Sequence, residues 1–208
     1  MPIHVFDYRA DLTNLVVQPQ IRSRFRRVEL GPVPQYHSHD LGGETFVVME
    51  GQIEFTVAGE RTVCRQGQAI YVPPRTTHAV RAVGERTGVI YLSVSPHVEP
   101  THTQYSADGE RLPPRYGVWR EAGGGEPAST LPTTSLLEEY RAAAERLAEL
   151  ARANAERAAS ANVPADAEAA PATVKPTVDQ LSAGLKPLLE QLETVERTWN
   201  ELALRAAN

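Results

Sequence analysis

Between residues 24 and 94 the chain is built from short runs rich in Val, Ile, Tyr, Phe and Thr, each cut off by glycine or proline. The runs are 24–30, 45–50, 52–57, 69–72, 79–83 and 89–94. Between them stand Glu50-Gly51, Ala58-Gly59-Glu60, Gln66-Gly67, Pro73-Pro74 and Gly84-Glu85. None of these runs is long enough to show a helical period, whereas β-branched and aromatic residues suit a pleated, half-buried surface. Turn residues at such close intervals leave little room for crossover helices. The segment is therefore predicted to be all-β, a sandwich or a barrel.

Side chains on such strands alternate between faces, and that alternation sorts the polar residues. In Tyr36-His37-Ser38-His39 the two histidines share a side and Ser38 takes the other. Asp40 to Gly43 is a short turn, and Glu44 opens the next strand. Glu44 shares a face with Phe46 and Val48, and the following strand offers Ile53, Phe55 and Val57 to the same interior. A carboxylate at the head of an apolar strand is costly to bury unless its charge is compensated. A divalent cation does this, because it favours ionised carboxylate and neutral imidazole. His78 follows the Pro73-Pro74 turn, shares its face with Val80 and Ala82, and supplies a third imidazole. The expected ligand set is His37, His39, Glu44 and His78.

These two stretches resemble the cupin superfamily. Its first motif, G-x5-H-x-H-x4-E-x6-G, is met in full by Gly31, His37, His39, Glu44 and Gly51. Its second, G-x5-P-x-G-x2-H-x3-N, is met by Gly67, Pro73 and His78. It departs at Arg75, where the family usually has Gly, and at Ala82, where it often has Asn. Neither departure touches the ligand set. The resemblance covers roughly residues 20 to 95. It implies a double-stranded β-helix, or jelly-roll, barrel with a metal inside near one mouth.

Composition changes near residue 130. Residues 95–131 are rich in proline, glycine and charge and are expected to wrap the barrel irregularly, so the barrel domain is placed at 1–122. A flexible linker is expected at 123–134, around Gly123-Gly124-Gly125. Beyond it the chain is Ala, Leu, Glu and Arg. Ser135 with Glu138 fits a capping box, and Leu136, Tyr140, Ala143, Leu147 and Leu150 repeat at four and three. A break is expected from 162 to 176, where three prolines fall. A second helix, capped by Thr177, then carries the stripe Val178, Leu181, Leu185, Leu188, Leu192, Val195, Trp199 and Leu202. Pro187 predicts a kink or a restart. The whole of 135–208 reads as an amphipathic α-helical hairpin. Narrow stripes need a partner, either each other or a second subunit, with an amphipathic tail packed on the barrel as the alternative, and a homodimer is expected.

The net charge of -5 over 208 residues offers no basic excess for nucleic acid. One cysteine, Cys64, makes no internal disulfide. No signal-like or membrane-spanning run is evident, so a cytoplasmic protein without membrane contact is expected.

Three imidazoles and one carboxylate suit one divalent transition metal: Fe(II), Mn(II), Ni(II), Co(II) or Zn(II). They leave coordination positions open for a small-molecule substrate or dioxygen. The first expectation is a metal-dependent oxidoreductase of the cupin dioxygenase type, with Glu44 also placed to exchange protons. A metal-assisted isomerase or lyase, a non-catalytic module holding metal and ligand, and a structural metal are the alternatives. Phe46 and Phe55 share the ligand side, as pocket wall or as barrel core. His97 and His102 lie in a polar segment after the last strand, either solvated or folded over the mouth as part of the substrate pocket.

Overall fold

In the computed structural model, residues 3–106, 108–124, 129–162 and 171–207 are described. Residues 14–104 fold into antiparallel strands in two sheets. One sheet has the order β1 (Asn14–Gln18), β2 (Ile21–Val28), β9 (Gly88–Ser95), β4 (Gly43–Glu50) and β7 (Ala69–Val72). The other runs β10 (Thr103–Gln104), β3 (His37–Ser38), β8 (His78–Val83), β5 (Gln52–Val57) and β6 (Glu60–Arg65). Among these strands only β1–β2 and β5–β6 pair with the next strand in sequence; the other seven steps cross to the opposite sheet, which is the jelly-roll arrangement. The runs recognised in the sequence are all strands here, several of them longer by a residue or more.

Alternation sorts most of the interior, although β8 buries the consecutive residues His78, Ala79 and Val80. Phe46 and Val48 of β4, Ile53 and Phe55 of β5, Ala82 of β8, and Ile90 and Leu92 of β9 are buried together between the sheets. Gly51 ends β4 at a φ of 81°, and a Cβ there would lie 2.9 Å from the Gly88 backbone. Glycine is therefore required at that turn. Arg75 also has positive φ, 61°, at the position where the family motif carries glycine. Its N–H donates to the His39 carbonyl at 2.7 Å, tying the Pro73-Pro74 turn to a ligand strand. Left-handed backbone costs a non-glycine residue roughly 1–2 kcal/mol, and glycine costs about 0.5–1 kcal/mol in chain entropy. Arg75→Gly should therefore change stability by no more than about 1 kcal/mol, towards stabilisation. Thermal melting checks this, and a loss of several degrees would contradict it.

The polar segment after β9 is tightly held. Thr101, Thr103 and Trp119 are buried, and a 3-10 turn spans Val118–Ala122. The Asn14 side chain donates to the carbonyls of Trp119 (2.8 Å) and Gly123 (2.6 Å). The first two glycines of Gly123-Gly124-Gly125 are thus stitched to β1, where Gly124 also bridges Asn14. Residues 125–128 lie outside the described residues.

The chain divides into two units, one within Met1–Ser129 with Ala203–Asn208, the other Thr130–Leu202. The second unit holds two helices, α1 (Thr133–Ser160) and α2, whose full range is Pro171–Ala203. Helix α1 begins two residues before the expected Ser135 cap. Pro132 stands at the cap position and no side chain caps the helix, so Ser135 and Glu138 lie inside it. Among the described residues helix α2 already runs from Pro171, ahead of Pro176, and the stretch 163–170 of the expected break lies outside the described residues. The helix then runs without interruption through Pro176 and Pro187, so no restart occurs near Lys186.

The helices form an antiparallel hairpin. The rings of Tyr140 and Trp199 lie 6.0 Å apart, the Gln191 amide donates to the Ala143 carbonyl at 3.1 Å, and Thr177 donates to the Asn162 carbonyl at 2.9 Å. The stripe of α1 faces inward as expected. That of α2 is partly buried at Leu181, Leu188, Leu192, Val195, Trp199 and Leu202, but Val178 and Leu185 are about half exposed, and Gly184 is buried beside Leu185. A Cβ on Gly184 would collide with Asn154 and Arg157. Close approach of the helices selects small residues at the seam over the leucines beside them. The stripe of α1 finds its partner inside the same chain. Among the described residues no helix is long and apolar enough to cross a membrane.

Candidate metal centre and its cavity

The ligand set assembles from both sheets. His37 lies on β3 directly opposite His78, the first residue of β8. His39 follows β3, and Ser38 between the two histidines turns away to the Tyr105 hydroxyl, 2.9 Å off. Glu44, the second residue of β4, reaches across from the facing sheet. One donor atom from each of His37, His39, Glu44 and His78 lies within 4.8 Å of every other.

Backbone carbonyls orient two of the rings. His39 Nδ1–H donates to the Thr101 carbonyl at 2.6 Å, and His78 Nδ1–H donates to the Thr76 carbonyl at 3.0 Å. In the neutral rings this leaves Nε2 as a lone pair. Both Nε2 atoms lie 2.9 Å from the same oxygen, Oε2 of Glu44. A carboxylate oxygen facing two imidazole lone pairs is repulsive unless a cation is shared between them. In the metal-free protein a proton serves; a metal ion bound by all four groups serves better. The cluster therefore fits a metal ion by the chemistry of its donors.

Charge follows the same logic. Burial pushes the Glu44 carboxyl up, but His39 and His78 outweigh it and hold the group well below the ordinary carboxylate range. Burial lowers His78 while the hydrogen bond and charge of Glu44 raise it, and the net shift is upward. His37 lacks such a carboxylate bond. Burial first, then the neighbouring His78, lowers it to about 3, so it is a neutral imidazole with a free lone pair at ordinary pH.

A cavity of about 390 Å³ opens on this cluster. His37 and Glu44 line it, with Phe46, Val80, Leu92 and Trp119 as apolar wall. His102 lines it too, its ring 5.0 Å from that of His37 and 4.8 Å from that of His39. Burial, then His37, pushes His102 well below its ordinary value. Phe55 lies behind Phe46, 5.1 Å ring to ring, within the core. His97 is 1 % exposed, edge-on to Trp119 at 6.0 Å, with Nδ1 3.1 Å from the Thr101 hydroxyl. Neither of the last two histidines is solvated. His102 meets the ligand rings, and His97 supports the segment whose Thr101 carbonyl holds His39.

Residues 25–95 match the family model described as the Cupin domain. That segment is a cupin domain. The cupin domain contains all four ligands, while the Thr101 carbonyl that orients His39 lies just beyond it. An uncharacterized protein of Methanocaldococcus jannaschii is 30% identical over 57 residues, 27% of this chain and 46% of that protein. The chain thus matches less than half the length of that curated relative. A Klebsiella pneumoniae protein described as having a double-stranded β-helix domain is 15% identical, with 50% of this chain and 99% of that one covered and a TM-score of 0.46. KdgF from Halomonas is 24% identical, with 42% and 78% covered and a TM-score of 0.37.

The cavity has a second set of lining residues that the motifs do not mark: Arg22, Arg24 and Arg26 of β2. Their signal in the sequence is the period of two, Arg22-Ser23-Arg24-Phe25-Arg26, which puts three cations on one strand face.

Proposed function

We propose that the cupin domain is a metal-dependent enzyme that uses dioxygen to oxidise or cleave a small organic molecule bound in the cavity. The observation that carries this reading is that two of the four ligands, His37 and Glu44, line a cavity large enough for a small molecule. Structural metal sites are closed by their ligands, whereas these four donors would leave a six-coordinate ion room for a further ligand, and two of them border the cavity. A bound Fe(II), Mn(II), Ni(II), Co(II) or Zn(II) supplies Lewis acidity, and a redox-active one also supplies electrons.

The chain's own groups set the rest. The Thr101 and Thr76 carbonyls fix the rings of His39 and His78. Glu44, held ionised, serves as the anionic ligand in preference to a proton donor. Phe46, Leu92 and Trp119 exclude water from one side of the bound molecule.

Oxygen uptake by Fe(II)-loaded protein against small phenols, diketones and sugars tests the reading. A substrate-dependent uptake abolished by His37→Ala is expected. Conversion of substrate without uptake would move the assignment to a metal-assisted isomerase or lyase. Silence across the panel with retained ligand binding would make the cupin domain a binding module.

A further inference from the structure

Strand β2 pairs with β9 so that Arg22, Arg24 and Arg26 stand opposite Val94, Leu92 and Ile90. Those three residues are buried, and β9 in turn sets them opposite Glu44, Phe46 and Val48 of β4. The three arginines therefore belong to the inner face of the barrel. Arg22, Val94 and Glu44 form one row across three strands. At about 4.8 Å per strand, the backbones of Arg22 and Glu44 are roughly 10 Å apart. A guanidinium on Arg22 is thus within reach of anything bound beside the metal ligands.

Arg22 is 1 % exposed. Among the described residues nothing accepts a hydrogen bond from Nε of Arg22 or of Arg24, and both atoms are buried. No carboxylate among the described residues lies within ion-pair distance of either guanidinium. Glu99, the other acid near Arg22, already accepts from the Thr101 hydroxyl (3.2 Å) and the Gly117 N–H (3.1 Å). A buried guanidinium with unused donors is expensive to maintain. It has five N–H groups in a planar fork that matches a carboxylate. The rest of the cavity lining is largely apolar: Leu92 and Phe46 continue the row of Arg24 across the same sheet, Val80 comes from the facing sheet, and Trp119 joins them.

We propose that Arg22 and Arg24 form a carboxylate-binding subsite, and that the molecule taken up by the cavity is a small organic acid with its carboxylate on these arginines and its remainder between the apolar wall and the metal ligands. Arg26, exposed on the same face of β2, extends the positive track outward. The proposal deepens the enzyme reading by naming the substrate class. Anion binding, however, is measurable without turnover.

The test is calorimetric titration of the full-length, Zn(II)-loaded protein with matched pairs: benzoate against benzamide, phenylacetate against phenylacetamide, with inorganic phosphate as a third arm. The acids are expected to bind and their amides to bind at least tenfold more weakly. Arg22→Gln and Arg24→Gln should each weaken the acids at least tenfold, and Arg22→Lys should restore part of the loss. Circular dichroism confirms folding; if Arg22→Gln fails to fold, the half-buried Arg24 carries the test through Arg24→Gln. Equal binding of acids and amides, no binding by any acid, or indifference to both substitutions overturns the proposal. Phosphate binding as tightly as the acids overturns the carboxylate assignment. Arginine-dependent acid binding with no oxygen uptake by the Fe(II)-loaded protein sinks the dioxygen-using reading and leaves this one standing. Oxygen uptake on neutral compounds unaffected by Arg22→Gln does the reverse.

Discussion

His37→Ala or His78→Ala is expected to lower metal affinity more than about a hundredfold, since loss of even an outer partner of a ligand costs 10–100-fold. The four donor atoms already lie within 4.8 Å of one another, so little reorganisation accompanies binding. The two variants should differ in the metal-free state. His37 makes no carboxylate bond, and its removal leaves Glu44 held by His39 and His78. His78→Ala deletes one of the two groups that compensate Glu44 and should also lower the melting temperature of the metal-free protein. pH separates the roles further. His78 has a raised pKa, so its contribution to the metal-free fold is full below about 6.5 and is lost as pH rises through the raised value. His37, depressed to about 3, acts in the opposite sense: its contribution is present above about 6.5 and declines as pH falls towards 3. Metal needs every imidazole neutral, so affinity should fall about tenfold per pH unit below the pKa of His78 as one proton competes. Metal titration at stepped pH measures this. A pH-independent affinity, or full metal retention by His37→Ala, would overturn the ligand assignment.

Arg22→Met should make the metal-loaded protein more stable while abolishing carboxylate binding. Burial lowers the pKa of Arg22 against the opposing fields of Glu44 and Glu99, which shows that its charge is poorly solvated where it stands. Replacing such a buried ionic group by an apolar side chain of similar volume is neutral or stabilising by about 1–4 kcal/mol. Here Glu44 keeps its histidines and Glu99 its two hydrogen bonds, so a gain of roughly 1–3 kcal/mol is expected from denaturant unfolding. Stability and binding moving in opposite directions is the mark of a group kept for function. If a folded Arg22→Met protein were less stable than wild type by several kcal/mol, Arg22 would be a structural counter-ion to Glu44 and Glu99.

The clustering of His37, His39, Glu44 and His78 was legible in the sequence because each part of it is local. Alternation turns His37 and His39 together, and one tight turn delivers Glu44. The proline turn that presents His78 reads equally clearly, although its left-handed residue is Arg75. What escaped notice depends on pairings distant in sequence. Three arginines in alternation look like a solvent face; only the register of β2 with β9, seventy residues away, turns them inward. The segment holding His97 and His102 has no period, so nothing in it says that Thr101 reaches His39 or that the His102 ring packs, tilted, against those of His37 and His39. In α2 the leucine pattern is a half-truth. Hydrophobicity favours Leu185 at the seam, but the helices come close enough that Gly184 takes the place.

The helical unit also bears on how the barrel unit is closed. Residues 203–207 belong to the barrel unit, where Arg205 donates to the Ser129 carbonyl at 2.7 Å, so the chain leaves and rejoins this unit at neighbouring points. Were Thr130–Leu202 a flexible loop, returning those residues would cost roughly 2 kcal/mol more in closure entropy than a ten-residue loop, at about 0.6 kcal/mol per doubling. An antiparallel hairpin avoids that cost, because Tyr140 and Trp199 hold its two ends side by side. Topologically the helices are an insertion within the chain of the barrel unit, and the strength of their pairing sets how readily residues 203–207 find that unit.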